Sequence, residues 1–159
     1  MGKAFGLIGG YIASTSLLVD YVRSFGSGFI FTTAMTPATA AGALVSIRHV
    51  RQNVHLRIAL HSNVNTLKSR LREEGLPLKE TPTHIIPVMV RDANLCREAS
   101  HKLLHEHGIF VQHINHPTVP VGQERLRITP TPLHTNDMIE ELVAALIDVF
   151  DSLGIKRDQ

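Results

Sequence analysis

The chain has 159 residues with a formal net charge of +2, and its composition excludes several classes of protein. Hydrophobic residues make up 43% of the total, which is enough to bury the core of one domain or slightly more than one. No basic run interleaved with aromatic residues marks a nucleic-acid surface, and no stretch of about 18 apolar residues could span a membrane. The single cysteine, Cys96, cannot form an internal disulfide and favours a reducing compartment. We therefore expect a globular protein with neither nucleic-acid nor membrane partners.

The first part of the chain predicts two short strands and two helices. Its apolar residues predict a strand over 6–12, a helix over 15–25 and a short strand over Gly28–Thr32. Pro37 suits the first position of a helix that runs towards Val50. Two strands cannot build a covered parallel sheet alone, because strands need partners and both faces of the sheet need cover. We therefore expect this part either to bind another chain or to lack an upstream half.

The remainder predicts an α/β domain, with a candidate boundary near residues 55–60. A helix over about 55–74 stops at Gly75, and two later helices are ended by glycine in the same way. The elements predicted after Gly75 are a strand in HIIPVMV, a helix over Ala93–His107 ended by Gly108, strands in IFVQHIN and RLRITP, and an amphipathic helix over Asn136–Leu153 ended by Gly154.

Lys3 stands out because four glycines surround it, at positions 2, 6, 9 and 10. Most lysines are solvated surface charges, but the apolar residues after this one favour a buried strand, and glycines let backbone approach a ligand closely. Lys3 at such an edge is expected to be partly desolvated, which favours the neutral amine that acts as a nucleophile or base. A phosphate-binding loop does not fit, because the lysine precedes the glycines, and the Gly-x-Gly-x-x-Gly spacing of a dinucleotide site is missing.

The ten histidines raise the question of a metal site, above all in the segment HKLLHEHG. On a helix His101 and His105 share a face at i, i+4, but His107 points elsewhere, and no carboxylate follows at a recognisable third-ligand spacing. Imidazolium groups are favoured near a helix C-terminus. We therefore predict solvated or capping histidines and no metal site.

Four segments together carry a family resemblance over essentially the whole chain. They are GKAFGLIGGYIAS, GFIFTT, THIIPV and VQHINHPTVPVGQERLRITPTPLHT. The chain resembles the C-terminal half of the 5-aminolevulinate synthases, which belong to the pyridoxal-phosphate-dependent α-oxoamine synthases. The resemblance implies the C-terminal part of a fold-type I transferase of the α/β class. Residues 1–57 would then end the large cofactor-binding domain, and residues 58–159 would form the small domain.

The resemblance implies a reaction and the residues that meet the cofactor. The family condenses glycine with succinyl-CoA to give 5-aminolevulinate, CoA and CO2, the first step of haem and tetrapyrrole biosynthesis, in the bacterial cytoplasm or the mitochondrial matrix. Lys3 matches the lysine that holds pyridoxal 5'-phosphate as a Schiff base and then serves as the catalytic base. Thr32 and Thr33 match a turn that reaches the cofactor phosphate of the other subunit of a homodimer.

Two further positions carry substrate roles by the same resemblance. Arg127 matches the arginine that binds the glycine carboxylate, for which a planar bidentate donor is well suited. Arg125 lies two residues away on the same strand face and is expected to be a surface or helper charge. Thr118 belongs to the segment His116–Pro120, which matches a mobile loop that closes over the site.

Departures from the family pattern leave alternatives open. His116 stands where relatives usually carry an aromatic ring and Val121 where many carry arginine, which bears on loop closure and acyl-CoA contacts. The family's first half, with the aspartate that pairs with the pyridine nitrogen and the groups that select succinyl-CoA, has no counterpart here. We therefore expect a truncated chain, with Met1 standing where the family continues upstream, and no catalysis by the isolated chain. The alternatives are another α-oxoamine synthase (8-amino-7-oxononanoate synthase or glycine C-acetyltransferase) and a non-catalytic chain that acts only with a complementary half.

Overall fold

The computed structural model describes residues 1–158, which divide into two compact units. The first unit is Met1–Val54 and the second begins at His55. The first unit is helical, and the second combines three helices with a small antiparallel sheet. None of the helices in the described residues is both long enough and apolar enough to cross a bilayer.

The first unit contains the helices α1 (Ser16–Phe25), α2 (Ser27–Ile30) and α3 (Pro37–Gln52). The predicted helices over 15–25 and from Pro37 are confirmed, and each begins at a threonine whose hydroxyl accepts a backbone N–H. Both predicted strands are wrong. Residues 6–12 form turns, bends and irregular backbone, with Gly6 and Gly9 at positive φ, and residues 27–30 form the short α2.

Gly26 explains why a second helix follows α1 so closely. Its N–H donates to the Val22 carbonyl at 2.8 Å, and a Cβ at this position would lie only 2.6 Å from the same oxygen. Only glycine fits there without moving the backbone. The Gly26 carbonyl then accepts from the N–H groups of Phe29 and Ile30, both at 2.9 Å, and starts α2.

The second unit confirms the predicted order of elements. They are α4 (Val54–Glu73), β1 (Ile86–Met89), α5 (Ala93–His107), β2 (Gln112–Ile114), β3 (Arg125–Ile128) and α6 (Asn136–Leu153). The strands pair antiparallel in the order β1-β3-β2, with Val88 opposite Leu126 and Gln112 opposite Arg127. Gly108 and Gly154 end α5 and α6 in the left-handed conformation, as their positions predict.

The core of the second unit lies between the sheet and its helices. Leu103 of α5, Leu126 of β3, and Leu146 and Phe150 of α6 are fully buried. Alternation along β3 places Leu126 and Ile128 in this core and turns Arg125 and Arg127 to the opposite face. The core therefore fixes the strand whose outward face presents the two arginines.

We expect Gly75→Ala to destabilise the second unit more than Gly154→Ala. Both glycines have positive φ, so either alanine adopts a strained backbone that costs about 1–2 kcal/mol. A Cβ on Gly75 would also lie 2.5 Å from the Asp158 carbonyl oxygen, whereas one on Gly154 meets nothing within 4 Å. In urea unfolding followed by circular dichroism, the free energy of unfolding should fall by about 2–4 kcal/mol for Gly75→Ala and by about 1 kcal/mol for Gly154→Ala. Equal losses would mean that the contact with Asp158 is not maintained.

We expect Cys96 to be unreactive in the folded chain and to make stability fall at high pH. Burial, with smaller contributions from the Glu124 and Asp92 carboxylates, raises the pKa of the Cys96 thiol from 9.0 to about 11. Between these values the unfolded thiol has lost its proton and the folded one has kept it, so the free energy of unfolding falls as pH rises. The loss should total about 2–3 kcal/mol, and Cys96→Ala should remove this slope. A native thiol that reacts with a disulfide reagent at pH 8 as fast as the denatured one would contradict the prediction.

Candidate functional site

Lys3 lies in a tight turn at the start of the first unit. Its carbonyl accepts the N–H of Gly6 at 3.0 Å, and Gly6 adopts a φ of 68° that a side chain would disfavour. The Met1 ammonium donates to the Gly9 carbonyl at 2.9 Å and closes a second, wider turn around the first. The glycines that drew attention to Lys3 in the sequence therefore shape the turn that presents it.

Helix α3 holds this turn in place through two contacts. The Ser46 hydroxyl donates to the Phe5 carbonyl at 3.2 Å. The Leu7 side chain packs against Gly42, where a Cβ would lie 3.0 Å from the leucine Cδ2. The missing side chain at Gly42 thus lets the segment that carries Lys3 lie directly on the helix.

The expectation that Lys3 is partly desolvated is not met within this chain, because Lys3 is exposed. The apolar neighbours on which that expectation depended are exposed as well: Ile8 is 87% and Tyr11 68% accessible. Ala43 is the one side chain among residues 1–54 that is buried. Desolvation requires a covering surface, and 54 residues with so little interior do not supply one.

Thr32 and Thr33 follow α2 and are both exposed. The Thr32 hydroxyl donates to the Gly28 carbonyl at 2.6 Å, which fixes the start of the turn by a local bond. Among the described residues, the backbone N–H groups of Thr32 and Thr33 donate to no backbone carbonyl. Two free N–H groups beside a free Thr33 hydroxyl form a set of donors that suits a phosphate dianion.

Arg127 projects from the outward face of β3, in the second unit. It donates from Nη2 to the side-chain oxygen of Gln112, its cross-strand partner on β2. Both residues line a cleft of about 370 Å³ whose wall also contains Phe110, Thr129 and His134. An exposed guanidinium held at one nitrogen by a neutral amide keeps its other donors available for an anion.

Arg125, on the same face of β3, has a different environment. Its Nε donates to the Gln123 carbonyl at 2.8 Å and its Nη2 to the Gln123 side-chain oxygen at 3.2 Å. It is absent from the residues that line the cleft beside Arg127. The alternation along the strand put both arginines on one face, but only Arg127 lines this cleft.

Thr118 lies in the exposed loop between β2 and β3, after a cis bond between His116 and Pro117. Its N–H donates to the Asn115 carbonyl at 3.0 Å, and the Asn115 side-chain amide donates to the Ala93 carbonyl at 2.9 Å. The loop therefore begins at a residue that is tied to the start of α5.

Glu124, at the other end of this loop, was missed by the sequence analysis. Its side chain is 2% exposed, and its backbone carbonyl accepts the N–H groups of Val90 and Arg91, both at 2.9 Å. Its Oε2 and the Oδ1 of Asn115 are buried without a hydrogen-bond partner among the described residues. The available signal was the alternation of RLRI, because Glu124 precedes the inward-facing Leu126 and Ile128 at a spacing of two.

Comparison with known proteins assigns the chain to a family. The model of the aminotransferase class I and II family matches residues 1–146, so the chain belongs to this family. It is 50% identical over 157 residues to the 5-aminolevulinate synthase of Rhizobium meliloti and 51% identical over 154 residues to 5-aminolevulinate synthase 2 of Cereibacter sphaeroides. The mitochondrial 5-aminolevulinate synthase of Emericella nidulans is 50% identical over 157 residues. The resemblance read from the motifs is confirmed.

The chain spans only part of these relatives. The matches cover 97–99% of the chain but 39%, 38% and 24% of the Rhizobium, Cereibacter and Emericella proteins.

Solved structures confirm the predicted fold class. Serine palmitoyltransferase of Sphingomonas wittichii aligns with a TM-score of 0.86 and 26% identity over 97% of this chain and 39% of its own. The corresponding enzyme of S. paucimobilis, solved with pyridoxal phosphate and myriocin bound, aligns with a TM-score of 0.87 and 27% identity. This alignment covers 98% of this chain and 39% of that enzyme. The 8-amino-7-oxononanoate synthase of Francisella tularensis aligns with a TM-score of 0.82 and 25% identity, over 97% of this chain and 45% of its own.

Proposed function

We propose that the chain supplies the lysine-bearing and carboxylate-binding part of a 5-aminolevulinate synthase. The reaction is the condensation of glycine with succinyl-CoA to give 5-aminolevulinate, CoA and CO2. The observation that carries the proposal is the identity of about 50% to enzymes of that name over 97–99% of the chain. The serine palmitoyltransferase and 8-amino-7-oxononanoate synthase structures are only 25–27% identical and support the alternative α-oxoamine synthases less well. These relatives are bacterial or mitochondrial proteins. We propose the bacterial cytoplasm or the mitochondrial matrix for this chain.

Lys3 has two tasks in this proposal. Its amine would hold the cofactor, and as the free amine it would take a proton from the glycine Cα onto Nζ. Pyridoxal phosphate, when bound, supplies an electron sink for the charge that develops at that carbon. The turn closed by Gly6 and anchored on α3 supports this role, because it holds the main chain of Lys3 and leaves its side chain exposed.

Thr32, Thr33 and Arg127 bind the two anionic groups. The free N–H groups of the threonines and the Thr33 hydroxyl fit the cofactor phosphate, and in a homodimer we propose that they serve the site of the partner subunit. The guanidinium of Arg127 pairs with the glycine carboxylate, with the Gln112 side-chain oxygen holding the remaining nitrogen. Thr118 is proposed to orient the loop that covers the substrate.

The surface of the first unit supports a requirement for further protein. Large apolar side chains are exposed along its whole length, among them Ile8, Leu17 and Phe31 at 81–87%. Tyr11, Val22 and Phe29 line an open groove of about 600 Å³. Monomeric proteins rarely expose contiguous apolar surface on this scale. We propose that the upstream half of a family member and the second subunit of a dimer cover it.

Complementation with an upstream half tests the proposed function. The chain would be co-expressed with, or fused to, the part of the Rhizobium meliloti enzyme that precedes the matched segment. We expect visible absorbance from bound pyridoxal phosphate and formation of 5-aminolevulinate from glycine and succinyl-CoA, whereas the chain alone should form none. A soluble assembly that binds the cofactor but shows no glycine-dependent spectral change would exclude the proposed substrate role. Turnover by the purified chain alone would exclude the requirement for a complementary half.

A further inference from the structure

The last turn of α5 and the middle of α6 bring together three metal-ligating side chains of the second unit. His107 Nε2 lies 3.1 Å from Asp148 Oδ2, and the ligand atoms of Glu106, His107 and Asp148 all lie within 4.8 Å of one another. We propose that these residues bind a divalent transition-metal ion of the zinc type. The site plays no part in the proposed condensation and stands independently of it.

The donor set and its spacing suit such an ion. One imidazole nitrogen and two carboxylate oxygens are ordinary zinc ligands, and three protein ligands leave a fourth position for water. Two ligands at about 2.0–2.1 Å from a tetrahedral zinc lie about 3.3 Å apart, close to the separation of His107 and Asp148. Glu106 is half exposed and on a flexible side chain, so it can close the remaining distance by rotation. The imidazole argues against Mg²⁺ or Ca²⁺, which prefer oxygen ligands throughout.

The surroundings of the cluster favour a cation and give it access. An open depression of about 410 Å³ is lined by His107, Asp148 and a further carboxylate, Glu141, with Ala144 and Ala145 leaving room between them. The positive group that competes is Lys102, whose Nζ lies 3.4 Å from Glu106 Oε1. The carboxylates of Glu106 and Asp148, with Glu141 on the same depression, outnumber this ammonium.

From the sequence, a different pair on the same helix was considered, and no metal site was predicted there. His101 and His105 stand at i, i+4, and their rings lie 4.1 Å apart between centroids. Among the described residues, however, Glu106, His107 and Asp148 are the group in which three possible ligands converge. The carboxylate missing from the local spacing comes from α6, 41 residues further along the chain.

Zinc titration of the tag-free full chain tests the proposal. Calorimetry with zinc chloride should show one site, and His107→Ala and Asp148→Asn should each weaken binding at least about tenfold, the loss typical of even indirect disturbance of a metal site. His105→Ala is the matched control and should leave the affinity unchanged, while Lys102→Met should raise it. Zinc should also raise the melting temperature of the wild type and of His105→Ala, but not of the two ligand variants.

Two results would overturn the proposal. The first is that zinc chloride neither gives a saturable heat nor shifts the melting temperature of the full chain. The second is that binding is lost in His101→Ala or His105→Ala and kept in His107→Ala, which would assign the ion to the helical histidine pair. Circular dichroism of each variant without zinc checks that the fold is retained, and Asp148→Asn, a conservative change at an exposed position, gives the answer if His107→Ala fails to fold.

Discussion

Lys3→Ala should abolish 5-aminolevulinate formation by the complemented enzyme. The substitution removes the only amine that the proposal uses to tether the cofactor and the base that takes the glycine Cα proton, and loss of a general base alone costs about 10²–10⁴ in rate. The adduct that borohydride fixes between the cofactor and the chain should disappear as well. Steady-state assays and mass spectrometry of the borohydride-treated peptide measure the two effects separately.

The control for this experiment is another exposed lysine. Lys156 follows α6 in the second unit and is solvent-exposed. Lys156→Ala should keep both the turnover and the borohydride adduct at Lys3. If Lys3→Ala retained a reducible adduct, another amine would hold the cofactor, and the role assigned to the N-terminal turn would be wrong.

The helices were predictable because their signals are local. Pro37 fixes a backbone angle suited to the first turn, and Gly108 and Gly154 adopt the left-handed conformation that ends a helix. The bounds predicted for Ala93–His107 and Asn136–Leu153 agree with those of α5 and α6. Such signals act within one turn and do not depend on what packs against the helix.

The two strands predicted for the first unit are wrong because the formation of a strand does not depend on local signals alone. An apolar run indicates that a segment seeks burial, but a strand also needs a hydrogen-bonding edge. Gly6 and Gly9 take positive φ and turn the segment after Lys3, and Gly26 restarts a helix where GFIFTT predicted a strand. In the second unit β1, β2 and β3 supply each other's edges, so the same kind of pattern gave correct strands.

In the candidate site too, residues in short motifs could be predicted, whereas residues that depend on distant contacts could not. Lys3, Thr33 and Arg127 could be proposed from the sequence because each lies in a short motif that can be compared directly with a family. Glu124 and the pair of His107 with Asp148 were not, since their significance depends on burial or on a contact across 41 residues. The structure added Gln112 in the same manner, as a cross-strand partner of Arg127 that no spacing in the sequence indicates.

Arg127→Lys should raise the KM for glycine of the complemented enzyme about ten- to a hundredfold. A planar guanidinium can donate two parallel hydrogen bonds to a carboxylate, and lysine keeps the charge but loses one of them. A charge-assisted hydrogen bond contributes about 1.5–3 kcal/mol, which corresponds to that range. Absorbance of the bound cofactor without substrate should be unchanged, because the proposed contact is with glycine.

Arg125→Lys is the matched control on the same face of β3. Its guanidinium is already engaged by the Gln123 carbonyl and side-chain oxygen, and it does not line the cleft beside Arg127. The KM for glycine should therefore change little when lysine replaces Arg125. If Arg125→Lys raised the KM and Arg127→Lys did not, the matching of residues along RLRITP would be out of register by two. The carboxylate contact would then belong to Arg125, which would have to release Gln123 to bind substrate.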